Sequence, residues 1–365
     1  MNKPTQNRFE PIDALRGIAA LLVVWQHSSG TFVKQIGVAQ HGTFLADIAK
    51  DIDFGRIGII CFFLISGFVI PSSLKDNNKS GIKHFVIRRF FRLYPAYWVS
   101  ILLVVIIALI YNSPPETTTI IANATMIQGL FQKPHLNGLY WTLQVELIFY
   151  ALCAMLFYFK VLRNDTIIFG LIVLFFGMFV VLQILPFLTG HPLTLHKEIQ
   201  LLPYLLSIMF LGYLYRKTHD NKTTKNTNNK TLNRFTLIST LMCLGLPVVL
   251  LISYLFGYEL VAHSFRFGTG HGLGFVLFFA GLLFLKKVPK FMLSLGMISY
   301  SLYLFHPLVM KIIVQVTENN TVFQGFHVSL YMAITALISI FLATIIYTLI
   351  EKPAINLGHR LTRGK

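Results

Sequence analysis

Ten stretches of predominantly apolar residues recur along the chain, at 12–30, 54–73, 96–112, 139–159, 165–187, 198–215, 235–256, 268–285, 292–313 and 327–350. Most are about twenty residues long, the length a helix needs to cross a hydrocarbon core of about 30 Å. Short polar segments separate them, and no internal repeat is visible. The pattern predicts an all-α polytopic membrane helix bundle, read as one domain over 1–365 with no appended soluble domain. The first stretch has the length of a signal peptide, but it holds Arg16 and His27 and lacks a small-x-small cleavage site. It is read as a retained helix.

Composition agrees with a membrane protein. Of 365 residues, 55% are hydrophobic and 12% charged, about half the charged fraction of an ordinary soluble domain. The formal net charge of +17 would suit nucleic acid in a soluble chain; here its distribution among connections matters more. Counted over alternate connections, 23 Lys and Arg fall on the side of both termini and 6 on the other. Both termini are therefore expected in the cytoplasm, and no nucleic-acid partner is expected. The connection 216–234, RKTHDNKTTKNTNNKTLNR, reads as a flexible polar cytoplasmic loop. Cys61, Cys153 and Cys243 lie in apolar segments without ligand spacing, so buried thiols are expected, with neither disulfide nor metal.

Among the ionisable residues inside spans, where each costs at least about 2.5 kcal/mol, four stand out: Arg16, His27, Glu146 and His306. Arg16 falls on the cytoplasmic side of the midplane. At a rise of about 1.5 Å per residue, His27 lies about 9 Å, Glu146 about 4–5 Å and His306 about 5 Å to the outer side. Three proton-handling groups on three helices thus share a depth, and neighbouring helices would bring them into one cluster. A neutral imidazole beside a carboxylate suits proton removal from an alcohol. Plainer readings stand beside this one. Asp13 and Arg16 are three apart, so an intrahelical ion pair neutralises the arginine. His27 lies near the outer interface, and His306 precedes Pro307, which frees a carbonyl. Ser66-Gly67 reads as a close helix contact.

Arg88, Arg89 and Arg92 precede the third span in HFVIRRFFRLYPAYW, with Arg89 and Arg92 on one helical face. Such a segment anchors to anionic headgroups or binds a phosphorylated ligand through guanidinium forks. Tyr94-Pro95 is expected to break the helix before the bilayer.

Together these segments resemble the acyltransferase family 3 of integral membrane proteins, from Asp13 to Pro353. DALRG with His27 resembles its Arg-x10-His signature, and FFLISGF the segment that follows. RRFFRLYPAYW carries its Arg-x-x-Arg motif in Arg89 and Arg92. LYWTLQVELIFY resembles its Trp-[Ser/Thr]-Leu-x-x-Glu element through Trp141, Thr142, Leu143 and Glu146. ISYSLYLFHP resembles the element ending at His306, and IEKP the Glu-x-Pro close. The common second acidic residue after Glu146 is Leu147 here.

The resemblance implies transfer of an acyl group, usually acetyl, from cytoplasmic acyl-CoA to a hydroxyl of a cell-surface glycan or its lipid-linked precursor. The expected setting is the bacterial cytoplasmic membrane. Acetyl-CoA would be a co-substrate, with no tightly bound cofactor. Arg89 and Arg92 would then hold CoA phosphates, with Arg16 and its partner Asp13 further along the donor's path and the pantetheine arm reaching the proton-handling cluster. His27 is the expected general base or a transient acyl carrier. Glu146 would orient its imidazole, and His306 would position the acceptor or steady an oxyanion. His41, Asp47, Asp51, Asp53 and Arg266 are candidates to line the acceptor's approach. The rival class is a proton-coupled transporter or flippase of a glycan precursor, since buried His and Glu also build proton relays.

Overall fold

A computed structural model describes residues 9–35, 38–74, 79–191, 195–223, 229–258 and 264–362. Part of the basic charge assigned to the cytoplasmic side, in 1–8, 75–78, 224–228 and 363–365, lies outside the described residues. Thirteen α-helices are described: α1 Glu10–Lys34, α2 Phe44–Ile52, α3 Phe54–Val69, α4 Lys79–Ile110, α5 Thr117–Ala124, α6 Tyr140–Tyr158, α7 Asp165–Thr189, α8 Lys197–Thr223, α9 Lys230–Leu255, α10 Ser264–Phe284, α11 Lys290–Glu318, α12 Val328–Ile346 and α13 Lys352–Leu361. A π-helical turn, Tyr347–Glu351, joins α12 to α13. The strands β1 Ala39–His41 and β2 Phe326–His327 make one short parallel pairing.

Among the described residues, nine helical segments are long and apolar enough to cross a membrane. They take up nine of the ten expected spans, as befits an all-α, multi-pass membrane protein. The tenth span, α1, is a 25-residue helix, but Asp13, Arg16, Gln26, His27 and two serines lower its hydropathy. Its apolar residues are mostly buried, and so are Asp13, Ser28 and Ser29, while Arg16, Gln26 and His27 are half-buried. By contrast little of α7, α9 and α12 is buried, as a lipid-facing helix of aliphatic side chains should be.

The chain divides into two compact units. Unit one comprises 1–62 and 250–354. Its centre is α1 packed on α11 and α12. Ala20 and Val24 of α1 meet Ile298 and Leu302 of α11 and Ala343 of α12, and Phe32 meets Val314 and Tyr331 further along. Contacts advance in the same sense on both helices, so α1 and α11 run parallel. The helix α10 supports α1, with Gly281 making room for Leu15.

Unit two comprises 63–249 and 355–365, with α8 packed on α6 and α7. A Cβ on Gly67 would collide with the Met209 carbonyl of α8, so Ser66-Gly67 is the close helix contact the sequence suggests. All three cysteines are free and buried.

Two expectations need correction, and one connection holds more structure than a link between spans. The break at Tyr94-Pro95 does not occur: α4 is continuous through Pro95. Proline removes one N–H from the helical ladder, and the stacked rings of Phe90 and Tyr94, 4.9 Å apart, hold that turn together. The connection 113–138 is not a plain loop. The chain reverses at Asn112 (φ 51°), and the segment containing α5 returns beside α4. There Tyr94, Tyr97 and Trp98 donate to the carbonyls of Thr125, Asn123 and Ala124. Buried Asn123 closes the segment, donating to Thr119 and Pro134 carbonyls and accepting from the Leu136 amide. Non-helical backbone folded against a membrane helix persists only when so satisfied. Finally, 216–234 is helical up to Thr223 and again from Lys230, and Arg216 pairs with Asp220 at 2.8 Å; the flexible loop expected there narrows to a stretch whose residues 224–228 lie outside the described ones.

Candidate active site

In unit one, α1 and α11 bring His27 and His306 together. The parallel register that sets Ala20 and Val24 against Leu302 carries one turn further to the two imidazoles. His27 Nδ1 lies 3.0 Å from His306 Nε2, with the ring planes within 9° of each other, so the bond lies nearly in both planes. His306 is fully buried, and its Nδ1 is 3.1 Å from the Leu302 carbonyl. A carbonyl only accepts, so His306 Nδ1 carries the proton. In a neutral imidazole its Nε2 is then the acceptor, and His27 Nδ1–H donates to it. That leaves the lone pair of His27 on Nε2, a nitrogen with no partner among the described residues. A backbone carbonyl thus sets the tautomer of two successive rings.

At the N-terminal end of the same helix, Arg16 and Asp13 form a loose ion pair, Nη1 to Oδ1 3.8 Å. The expected neutralisation within α1 is therefore present. The Asp13 backbone is also a packing surface, because Gly296 of α11 lies against its carbonyl.

Unit two holds Glu146, Arg89 and Arg92. Glu146 Oε1 accepts from Tyr150 Oη at 2.6 Å and from Ser66 Oγ at 3.4 Å. Tyr150 is one turn along α6, and its ring lies 5.3 Å beneath the Arg89 guanidinium. Arg89 also covers Phe85 at 5.5 Å and donates to Ser73 Oγ at 3.1 Å. Arg89 is therefore held in one orientation, with Glu146 fixing the tyrosine on which it rests. Arg88 turns elsewhere and donates to Thr362 Oγ1 at 2.7 Å, next to Gly358, which packs on Phe91. Among the described residues, the partner on His27 Nδ1 is His306, the position the sequence reading gave to Glu146.

Several polar groups escaped the sequence reading. Tyr150 had a usable signal, the i, i+4 spacing from Glu146. Ser301 Oγ donates to buried Glu351 at 2.6 Å in the π turn, where nothing but the motif marked that carboxylate. His135 bridges Gln128, of its own connection, and Glu198, on α8, the latter at 2.9 Å; no spacing announces the contact to α8. No group of His, Cys, Asp and Glu among the described residues could hold a metal ion.

Comparison with known proteins identifies the family. The chain is 27% identical to nodulation protein 10 of Rhizobium leguminosarum bv. viciae over 176 residues, covering 42% of this chain and 46% of that protein. It is 30% identical to the acyltransferase MdmB of Streptomyces mycarofaciens over 158 residues, 40% of this chain and 38% of that one. With the peptidoglycan O-acetyltransferase OatA of Listeria monocytogenes it shares 31% over 105 residues, 28% of this chain and 14% of that protein. The matched parts span less than half the length of each of these relatives. No solved structure gives a match. A family model described as an acyltransferase domain matches residues 10–350, nearly the whole chain, and the protein belongs to acyltransferase family 3.

Proposed function

We propose that the protein is a membrane O-acyltransferase that moves an acyl group, acetyl in the simplest case, from cytoplasmic acyl-CoA to a hydroxyl of a cell-surface glycan or its lipid-linked precursor, in a bacterial cytoplasmic membrane. The observation that carries this reading is the imidazole chain from the Leu302 carbonyl through His306 to His27, which presents an acceptor nitrogen in a membrane helix. The similarity to MdmB, an acyltransferase, and to OatA, a peptidoglycan O-acetyltransferase, supports it.

His27 Nε2 takes the proton of the acceptor hydroxyl as its oxygen attacks the thioester carbonyl. The C–O bond forms, the tetrahedral intermediate collapses and the C–S bond breaks. The proton on Nε2 then passes to the departing CoA thiolate. While His27 is cationic, its Nδ1–H bond to His306 strengthens, and the Leu302 carbonyl polarises His306 in turn. In unit two, Arg89 and Arg92 are assigned to the CoA phosphates, and Arg16 with Asp13 to the donor. Glu146 is assigned to support of Arg89 through Tyr150.

The test uses purified protein in lipid vesicles, radiolabelled acetyl-CoA and a crude lipid-linked glycan fraction. General-base removal costs about 10²–10⁴ in rate, so His27→Ala should lose at least a hundredfold of label transfer while inserting normally. His306→Gln, whose amide oxygen still accepts from His27 Nδ1, should retain more activity than His306→Leu. Full transfer by His27→Ala would remove the proposed base. Movement of unmodified glycan without label would point to the transporter class.

A further inference from the structure

Two arginines of unit one share a single buried carboxylate beside His27. Asp53, at the corner between α2 and α3, has a left-handed backbone (φ 50°). Its Oδ1 accepts the Arg56 amide at 3.0 Å at the start of α3. Its Oδ2 accepts Arg266 Nε at 2.9 Å and has Arg56 Nε at 3.4 Å. The corner rests on α1 at the two residues before His27. The rings of Phe54 and Trp25 are 5.1 Å apart, and the Gly55 amide points at Gln26 Oε1 at 3.5 Å. On α10, Gly270 leaves room for the stem of Arg56, since a Cβ there would stand 2.9 Å from the arginine's own. The Arg56 guanidinium then lies 5.5 Å over the Phe267 ring.

A clip between the α2–α3 corner and α10 accounts for one of these arginines. One guanidinium neutralises a buried carboxylate; the second leaves a surplus positive charge. Both arginines approach Asp53 through Nε, and their terminal NH2 groups have no partner among the described residues. Both side chains remain open, 36% exposed for Arg56 and 41% for Arg266. Two anchored guanidinium groups with unused NH2 donors match the paired oxygens of a carboxylate or phosphate. Trp25, 38% exposed, adds an amphipathic ring beside them, of the kind that contacts mixed polar and apolar surfaces.

We propose that Arg56 and Arg266 form an oxyanion subsite for the acceptor, whose glycan carries a carboxylate, as in a uronic acid, or a phosphate, as in a phosphate-linked sugar, close to the hydroxyl acylated at His27. The proposal deepens the acyltransferase reading and rests on it for the identity of the ligand as an acceptor.

The test is equilibrium binding to the purified full-length protein in nanodiscs, with trigalacturonate, glucose 1-phosphate and neutral maltotriose as probes. At least one anionic probe should bind about tenfold or more tightly than maltotriose, and raised salt should weaken it. Which anion is preferred separates the two sources. Arg56→Gln and Arg266→Gln should each remove about tenfold of that preference and leave maltotriose binding unchanged, the neutral probe reporting on the fold. Equal binding of all three probes by the unaltered protein, or an undiminished preference in both variants, would overturn the subsite. His27→Ala should keep the anion preference while losing transfer. Anion binding without any acyl transfer would sink the acyltransferase reading and leave an oxyanion site standing. Equal acylation of anionic and neutral glycans would do the reverse.

Discussion

The glutamate on α6 shows how far a residue's role depends on its partners. A carboxylate within a span needs hydrogen-bond donors, and Glu146 finds Tyr150 and Ser66. Through Tyr150 it fixes the surface under Arg89. Under the proposed function this support acts on the donor side: Tyr150→Phe keeps the ring but loses the hydroxyl, so the KM for acyl-CoA should rise severalfold while kcat changes little. A fall in kcat at constant KM, measured over a range of acetyl-CoA concentrations, would return Glu146 to the chemical step. Arg16, His27, Glu146 and His306 were all legible as residues, because each is a costly group in an apolar run. Their pairing was less so. Depth along a helix axis placed His27 and His306 at the same level without showing which nitrogen faces which, and the tautomer came from a backbone carbonyl that no sequence pattern marks. Arg56 and Arg266 are 210 positions apart in the chain and meet only through Asp53.

At the scale of elements, hydropathy found a helix for each expected span, since an apolar run long enough to cross lipid must be helical. It failed at their ends and between them. Helices α8 and α9 continue beyond the apolar core because a helix satisfies its backbone whether lipid or water surrounds it. The α5 segment was missed because what seats it is a stripe of aromatic donors on α4, at positions 94, 97 and 98, not a run of its own. Packing of α3 on α8 depends on Gly67, whose added Cβ would overlap the Met209 carbonyl. Backbone cannot yield as a flexible side chain does, and overpacking costs about 1–3 kcal/mol or more. Gly67→Val should lower the Tm of the detergent-purified protein by several degrees; an unchanged melting curve would show that α3 is free to shift.

Over the whole molecule, the uneven distribution of Lys and Arg predicts the orientation, and the buried thiols make it measurable. Cys61, Cys153 and Cys243 are buried, so a membrane-impermeant maleimide should find no native target. Ser113→Cys, on the connection assigned outside, should be labelled in intact cells, and Lys287→Cys only after permeabilisation. The reverse pattern would invert the topology. The same burial has a chemical consequence. With no disulfide to form and no thiolate within reach of an oxidant, the cysteines are redox-silent: they call for no disulfide-forming oxidase or isomerase, peroxide has no sulfenic acid to make of them, and no acyl group can rest on them as a protein thioester. Whatever respiratory state the membrane is in, thiol oxidation should leave the transfer chemistry unaltered.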